Sequence, residues 1–242
     1  MKTFLALTRR ELGVYFVSPM AYIILTAILV LSGQVFVSTM AAATAGQEPV
    51  DYRSTLQWLM MVVILTTPLV TMRLIAEERK QGTLEIILTA PISDAAFVLA
   101  KFAAAMVLLA YLLVLTVGYL VIISRYGPVD AGAAACGYLG LFLVGGVLYS
   151  IGLFISSLCS SQITAGVLTF SIAVMLIMAT YSLPQVMDTS LIRPFLAYID
   201  LTVNFSDFLK GVVDCTRLVY LLSVIFFFLF LTTRVVESRR WR

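Results

Sequence analysis

The chain has 242 residues, of which 61% are hydrophobic and 12% are charged, with a net charge of +3 and a mean hydropathy of +1.03. A soluble domain is normally about half apolar and a quarter charged, so this composition excludes a water-soluble globular protein. With no histidine and three cysteines without regular spacing, it also excludes a Cys/His zinc site and a histidine proton relay. The composition predicts a single helical membrane domain spanning residues 1–242.

Residues 1–18 precede the first apolar stretch and are amphipathic. On a helix, Lys2, Arg9 and Arg10 fall on one face, and the other face carries Phe4, Leu5, Leu12, Tyr15 and Phe16. This pattern predicts a helix that lies in the headgroup region, with an ordinary basic N-terminus as the alternative. Ser18-Pro19 ends this helix because proline disfavours a helical residue before it, and Pro19 can begin the next helix.

Six apolar stretches are long enough to cross a membrane, which takes about 20 mostly apolar residues. They lie at about 20–40, 56–72, 95–124, 132–155, 163–183 and 216–233. The uncharged run 131–187 is too long for one helix, and the polar turn Ser156–Gln162 divides it into two. The first stretch exceeds the 7–15 residues of a signal-peptide core, so it is interpreted as a span. The predicted fold is all-α with six transmembrane helices.

Basic residues are distributed unevenly between the two sides that six spans define. Eleven fall on the side of the termini, namely Lys2, Arg9, Arg10, Arg73, Arg79, Lys80, Lys101, Arg234, Arg239, Arg240 and Arg242. Five fall on the other side, namely Arg53, Arg125, Arg193, Lys210 and Arg217. Because basic residues concentrate in cytoplasmic loops, both termini are predicted to be cytoplasmic.

The loop at 73–94 is the only predicted cytoplasmic loop with enough charge and length to meet a partner. Its first part, Glu77 to Lys80, is predicted to continue the second span as a polar helix that extends into water. Gly82 follows as a residue that can end a helix in the left-handed conformation.

The second part of this loop is predicted to form a short amphipathic helix. Thr83 is a candidate N-cap, Glu85 suits the positive end of the helix dipole, and Pro91 ends the helix. Exposed apolar residues such as Leu84 and Leu88 indicate a protein interface, with a helix folded onto the membrane surface as the alternative. Ser93 is predicted to cap the third span.

Two motifs resemble one transporter family. The run EERKQGTLEIILTAPIS resembles the E-E-R-x-x-G-T-x-E-x-L-L-T-x-P signature of ABC-2 type permeases, the membrane subunits of type V ABC exporters. The matching residues are Glu77, Glu78, Arg79, Gly82, Thr83, Glu85, Leu88, Thr89 and Pro91. The opening resembles the family's R-E-x-x-x-Y-F-x-S-P-x-A-Y start through Arg10, Glu11, Tyr15, Phe16, Ser18, Pro19, Ala21 and Tyr22. FSDFLKGVVD and VVESRRW resemble the gliding-motility and copper-processing branch.

The resemblance implies a dimer of six-span subunits driven by a pair of ABC ATPase subunits in the cytoplasmic (inner) membrane. It implies a coupling helix at Gly82–Pro91 that docks on the ATPase, and a second cytoplasmic contact at Ser157, Ser160 and Gln162. It also implies an N-terminal elbow helix that contains Arg9, Arg10, Glu11, Tyr15, Ser18 and Pro19. The second permease subunit would be the same or a homologous chain, and the family mostly exports.

Nucleotide chemistry is expected outside this chain. No G-x-x-x-x-G-K-[ST] loop occurs, so ATP and magnesium are expected on a separate ATPase, with no cofactor, metal or catalytic residue here. The predicted spans contain almost no ionisable residue, which argues against an ion-coupled secondary transporter. A membrane scaffold that anchors a cytoplasmic partner is a further alternative, whereas an intramembrane enzyme lacks paired acids or a histidine base. No nucleic-acid partner is expected, and an extracytoplasmic accessory protein stays open.

The external segment 184–215 mixes acids with large apolar residues. This pattern predicts short helices at, or dipping into, the outer leaflet, and the resemblance implies re-entrant helices, with plain interfacial anchoring as the alternative. In the fourth span, Gly146/Ser150 and Gly152/Ser156 are pairs of small residues that permit close helix contact. The methionines fit packing better than copper binding, and a Cys136–Cys215 disulfide stays open.

Overall fold

The computed structural model describes residues 2–17, 19–44, 51–83, 92–126, 129–186 and 199–240. These residues are helical with short connections and contain no β-strand, in agreement with the predicted all-α fold. The helices are α1 (Lys2–Val17), α2 (Pro19–Thr44), α3 (Tyr52–Thr71), α4 (Ala76–Lys80), α5 (Asp94–Ile123), α6 (Ala131–Leu158), α7 (Gln162–Val186), α8 (Leu201–Leu209) and α9 (Cys215–Arg240).

Within the residues that the structure describes, five helical segments are long and apolar enough to cross a membrane. They are Tyr22–Ala42, Tyr52–Lys80, Asp94–Ile123, Ala131–Leu158 and Cys215–Arg239. Five of the six predicted spans thus have a counterpart. The stretch predicted at 163–183 falls in α7, where Gln162–Leu176 forms a shorter apolar segment, so a sixth crossing stays a prediction.

Helix α6 lies at the centre of the bundle and packs against α3, α5, α7, α8 and α9. Small residues allow this close packing, because a methyl group added at Gly140 would lie 2.7 Å from Cβ of Phe208. Gly146 faces Ile225 of α9 in the same way. The outer helices α2 and α9 instead expose apolar faces, as expected of surfaces that contact lipid.

A polar helix follows the second span as predicted, but a turn that was not predicted separates the two. Helix α3 ends at Thr71, the chain turns, and α4 begins separately at Ala76. The physical reason is that Ser156 of α6 accepts hydrogen bonds from the N–H groups of Ile75 and Ala76. In a continuous helix those donors would bond to backbone carbonyls four residues earlier.

The polar turn predicted at Ser156–Gln162 is shorter in the structure. Helix α6 continues through Leu158, and Gln162 is already the first residue of α7. Only residues 159–161 lie outside helices, with Cys159 in an extended conformation as the C-cap of α6. Two helices joined by a tight connection were predicted correctly, and the serines at 156 and 157 belong to the first of them.

Helix α8 lies along the half of α6 that begins at Ala131. Gly211, just after α8, faces Ala133, and Phe208 faces Gly140. Leu201, at the start of α8, lines the same cavity as Val147, which lies near the middle of α6. Helix α8 therefore starts near mid-height of the bundle and runs outward, which agrees with the prediction of a short helix in this segment.

Candidate functional site

A buried ion triad joins three helices at the end of the bundle where α3 and α6 end, which we call the charged end. Lys101 of α5 is 2% exposed, and its Nζ lies 3.0 Å from Oε2 of Glu11 in α1. The same Nζ lies 2.9 Å from Oε1 of Glu78 in α4 and 5.1 Å from the ring centre of Phe97. One ammonium group thus holds carboxylates from two other helices.

The triad depends on Lys101, because removal of its ammonium group would leave two carboxylates without a salt-bridge partner. A buried charge is tolerated only when it is paired and hydrogen-bonded, and loss of one partner leaves the others uncompensated. Oε2 of Glu78 is buried without a hydrogen-bond partner within the described residues, so this carboxylate depends on Lys101 through its other oxygen. Lys101 therefore fixes α1 and α4 against α5.

A polar cavity of about 250 Å³ adjoins the triad. Its charged and polar walls include Arg10, Glu11, Tyr15, Arg73, Glu77, Glu78, Gln81, Thr83 and Lys101. Burial and the Glu11 carboxylate raise the pKa of the Tyr15 phenol above its ordinary value, so the hydroxyl stays protonated. Three basic and three acidic side chains line this space, so the cavity has balanced charge.

Helix α4 is capped by a residue from a distant part of the chain. Its N-cap residue Ile75 makes no side-chain cap hydrogen bond. The hydroxyl oxygen of Ser156 accepts from the backbone N–H of Ile75 at 3.1 Å and of Ala76 at 3.0 Å. Because the first N–H groups of a helix lack partners within it, this serine stabilises the start of α4 and ties it to α6.

Two arginines bind the carbonyl groups at the end of α6. Arg79 of α4 donates to the carbonyl of Leu158 at 3.2 Å. Arg239 of α9 donates to the carbonyls of Ser157 at 2.7 Å and Leu158 at 3.3 Å. These carbonyls lack partners in their own helix and carry its negative dipole end, which favours cations. The end of α6 is thereby joined to α4 and α9.

Several residues predicted to act in coupling meet at this charged end. Glu78 and Glu11, predicted in a solvated helix and in an elbow helix, face Lys101 instead of water. Arg79 donates to the carbonyl of Leu158 at the end of α6, and Arg239 donates to the neighbouring carbonyl of Ser157. The coupling role of these residues stays a prediction, and the expected exposure of Glu78 to water was wrong, because its side chain is paired with Lys101.

The remaining predicted residues divide into two groups. Gly82 has φ of +71° just after α4, which confirms it as the glycine that ends this helix. Arg9 and Ser160 are exposed, and Pro19 begins α2 as predicted. Outside the described residues lie Ser18, Leu84, Glu85, Leu88, Thr89 and Pro91.

The sequence interpretation missed the role of Lys101 and counted it only as a loop charge. The structure places it about two turns inside α5, within the span predicted as 95–124. It is the single charged residue between Asp94 and Arg125, and an isolated charge in an apolar helix is a signal of function or pairing. Arg239 was missed as well, because its partners in α6 are distant in sequence.

No metal site is evident in the part of the chain that the structure describes, where no three acidic or cysteine side chains converge. Cys136, Cys159 and Cys215 are free thiols, so the Cys136–Cys215 disulfide left open by the sequence is not formed. The interactions seen at the charged end are ion pairs and helix caps, which hold the helices together.

Comparison with known proteins agrees with this architecture. The sequence pattern of the family described as ABC-2 family transporter protein matches residues 50–235, more than half of the chain. No curated protein sequence matches the chain. The matched region runs from α3 to α9 and includes Glu78, Arg79, Lys101 and Ser156. The chain therefore belongs to the ABC-2 family of transporter membrane proteins.

Proposed function

We propose that this chain is the permease subunit of an ABC exporter and that its charged end receives motion from a separate ATPase pair. Membership of the ABC-2 family supports a permease subunit. The observation that carries the coupling role is the ion triad, because Lys101 ties α4 to both α1 and α5. Helix α4 contains Glu77, Glu78 and Arg79 of the family's coupling signature and is followed by Gly82–Pro91, the proposed coupling helix.

The contacts of α4 suggest how displacement of residues 84–91 would spread. Glu78 links α4 to α5, Arg79 links it to the end of α6, and Ser156 caps its start. Because packed helices and paired charges move as units, a push on α4 would shift α5 and α6 together. Glu11 would carry the same movement to α1, the proposed elbow helix.

The proposed assembly contains two permease subunits and two ATPase subunits in the cytoplasmic (inner) membrane, with both termini on the ATPase side. The family resemblance supports export as the direction and the gliding-motility and copper-processing branch as the placement. The charged end then faces the cytoplasm, in keeping with its concentration of basic residues. A scaffold that anchors the ATPase without transport is the runner-up function.

Site-specific photo-cross-linking tests the location of the ATPase. Gln81 is exposed and lies next to the proposed coupling helix Gly82–Pro91. A cross-linking amino acid at Gln81 is expected to capture a nucleotide-hydrolysing subunit in intact membranes. The matched control is Tyr126, which is 70% exposed at the opposite end of α5. Capture of an ATPase from Tyr126, or from neither position, would contradict the proposed docking.

A second experiment separates coupling from mere anchoring. In the purified complex, Leu88→Asp or Glu85→Lys is expected to lower transport-linked ATP hydrolysis while membrane insertion is retained, because each change disrupts the proposed coupling helix. If the chain were only a scaffold, it would not couple transport to ATP hydrolysis, and neither change would alter the rate of hydrolysis. Tyr126→Asp serves as the control, because Tyr126 is 70% exposed at the opposite end of α5 from the proposed coupling helix.

A further inference from the structure

An apolar cavity of about 710 Å³ is lined by residues other than those of the ion triad. Most of its walls come from α6, α7 and α9, with Leu201 contributed by α8, and they include Ile151, Phe154, Leu168, Ile172, Val224 and Phe228. Almost no polar surface faces this space. Its volume falls within the range of about 300–1,000 Å³ that small-molecule sites occupy in proteins.

The cavity extends over half the height of the bundle. On α6 it runs from Val147 to Leu158, a length of about 16 Å at 1.5 Å per residue. Ile199 and Leu201, where α8 begins, bound it near the middle of α6. One leaflet of a bilayer contributes about 15 Å of hydrocarbon, so the cavity matches the depth of the leaflet at the charged end.

The lining decides what can occupy this space. Water gains too few hydrogen bonds in an apolar cavity, and an empty cavity leaves its walls without dispersion contacts. A membrane-spanning helix of a second subunit needs a path of about 30 Å, whereas the cavity, as far as the described residues line it, ends at Leu201 halfway through the bundle. A single acyl chain entering from one leaflet satisfies both the depth and the chemistry.

We propose that this cavity binds one acyl chain of a membrane phospholipid from the leaflet at the charged end. The headgroup would lie near Leu158 and Cys159, beside Arg239, whose guanidinium bonds to the end of α6. The bound chain would complete the packing between α6, α7 and α9. This site is separate from the ion triad and does not depend on the proposed transport activity.

Native mass spectrometry of the detergent-purified chain tests the proposal. Leu168→Trp places a large side chain in the cavity and is expected to lower the retained phospholipid at least about fivefold, because it occupies the required space. The matched control is Leu115→Trp on α5, since Leu115 is 40% exposed, as against 44% for Leu168, and does not line this cavity. The control is expected to retain phospholipid as the unchanged chain does.

Two results in that experiment would overturn the proposal. One is equal phospholipid retention by both variants, or none by the unchanged chain. The other is conversion of a dimer to a monomer by Leu168→Trp with lipid retention unchanged, which would identify a second copy of the chain as the occupant.

A second measurement avoids changing the cavity at all. Cys159 is a 9% exposed thiol on the cavity wall, and Cys136→Ser with Cys215→Ser leaves it as the only thiol in the chain. Its reaction with N-ethylmaleimide in lipid-depleted protein is expected to slow about fivefold when phospholipid is added to the micelles, because the bound lipid covers the sulfur at the mouth of the cavity. A rate independent of phospholipid would overturn the proposal.

Discussion

The hydroxyl oxygen of Ser156 lies 3.0 Å from the backbone nitrogen of Ala76, a residue 80 positions earlier in the chain. This contact caps the start of α4, which follows the end of α3 at Thr71 after a short turn. It ties α4 to the end of α6. Helix α4 spans five residues, too few for stable helix formation on its own. Its position therefore depends on contacts with α5 and α6.

Replacing this cap is expected to loosen the charged end. Ser156→Ala leaves two buried N–H groups without an acceptor and should lower the free energy of unfolding by about 1–2 kcal/mol. Thermal denaturation of the purified protein measures the change. Ser157→Ala is the matched control, because its buried hydroxyl donates only to Phe154 within α6. Equal destabilisation by the two changes would show that Ser156 has no special role as a cap.

The helices could be predicted from sequence because length and apolarity decide them locally. The break between α1 and α2 at Pro19 and the cap of α5 by Ser93 were also predicted, since each depends on neighbouring residues only. The helix-ending role of Gly82 was also predicted from its neighbouring residues. Its positive φ follows from its place just after α4.

The interior of the charged end could not be predicted in the same way. The ion triad depends on where three helices cross, and no local pattern reveals that Glu11 and Glu78 point at the same ammonium group. The start of α4 at Ala76 depends on a hydrogen bond to Ser156, which belongs to a helix much later in the chain. Such contacts are set by tertiary packing, which overrides the local tendency of an acidic and basic run to form a solvated helix.

Removal of Lys101 is expected to be the most damaging change at the charged end. Lys101→Met leaves two carboxylates close together and unpaired in a buried place, which should cost about 3–5 kcal/mol of stability. Adding Glu11→Gln and Glu78→Gln removes the uncompensated charge and should recover most of this loss. Denaturation midpoints of the single and triple variants measure both effects.

A surface ion pair provides the comparison for Lys101. The side chain of Lys210 is 62% exposed and lies 3.3 Å from Asp207, so Lys210→Met should cost less than about 1 kcal/mol. If Lys101→Met were no more destabilising than Lys210→Met, the triad would not hold α1 and α4 against α5. Failure of the triple variant to recover stability would point instead to lost packing around the lysine stem.

The contact between α6 and α8 is expected to depend on Gly140. An alanine methyl group there would lie 2.7 Å from Cβ of Phe208 and 3.1 Å from the ring of Phe205, so Gly140→Ala should destabilise by about 1–3 kcal/mol. Hydrogen exchange should rise across Leu201–Leu209 as α8 loosens. Gly118→Ala on α5 is the control, because nothing lies within 4 Å of its added methyl group. Unchanged exchange in α8 would refute the close packing.

The glycine after α4 is expected to matter through its backbone alone. Gly82 has φ of +71°, and a methyl group there would meet no atom within 4 Å, so Gly82→Ala should cost about 1–2 kcal/mol purely from the left-handed conformation. Hydrogen exchange at residues 76–83 should increase, because the end of α4 loses its termination. Gly13→Ala, within α1 and equally open, should be neutral or slightly stabilising, since alanine favours helices. If Gly82→Ala were as well tolerated as Gly13→Ala, the left-handed turn that ends α4 at Gly82 would be refuted.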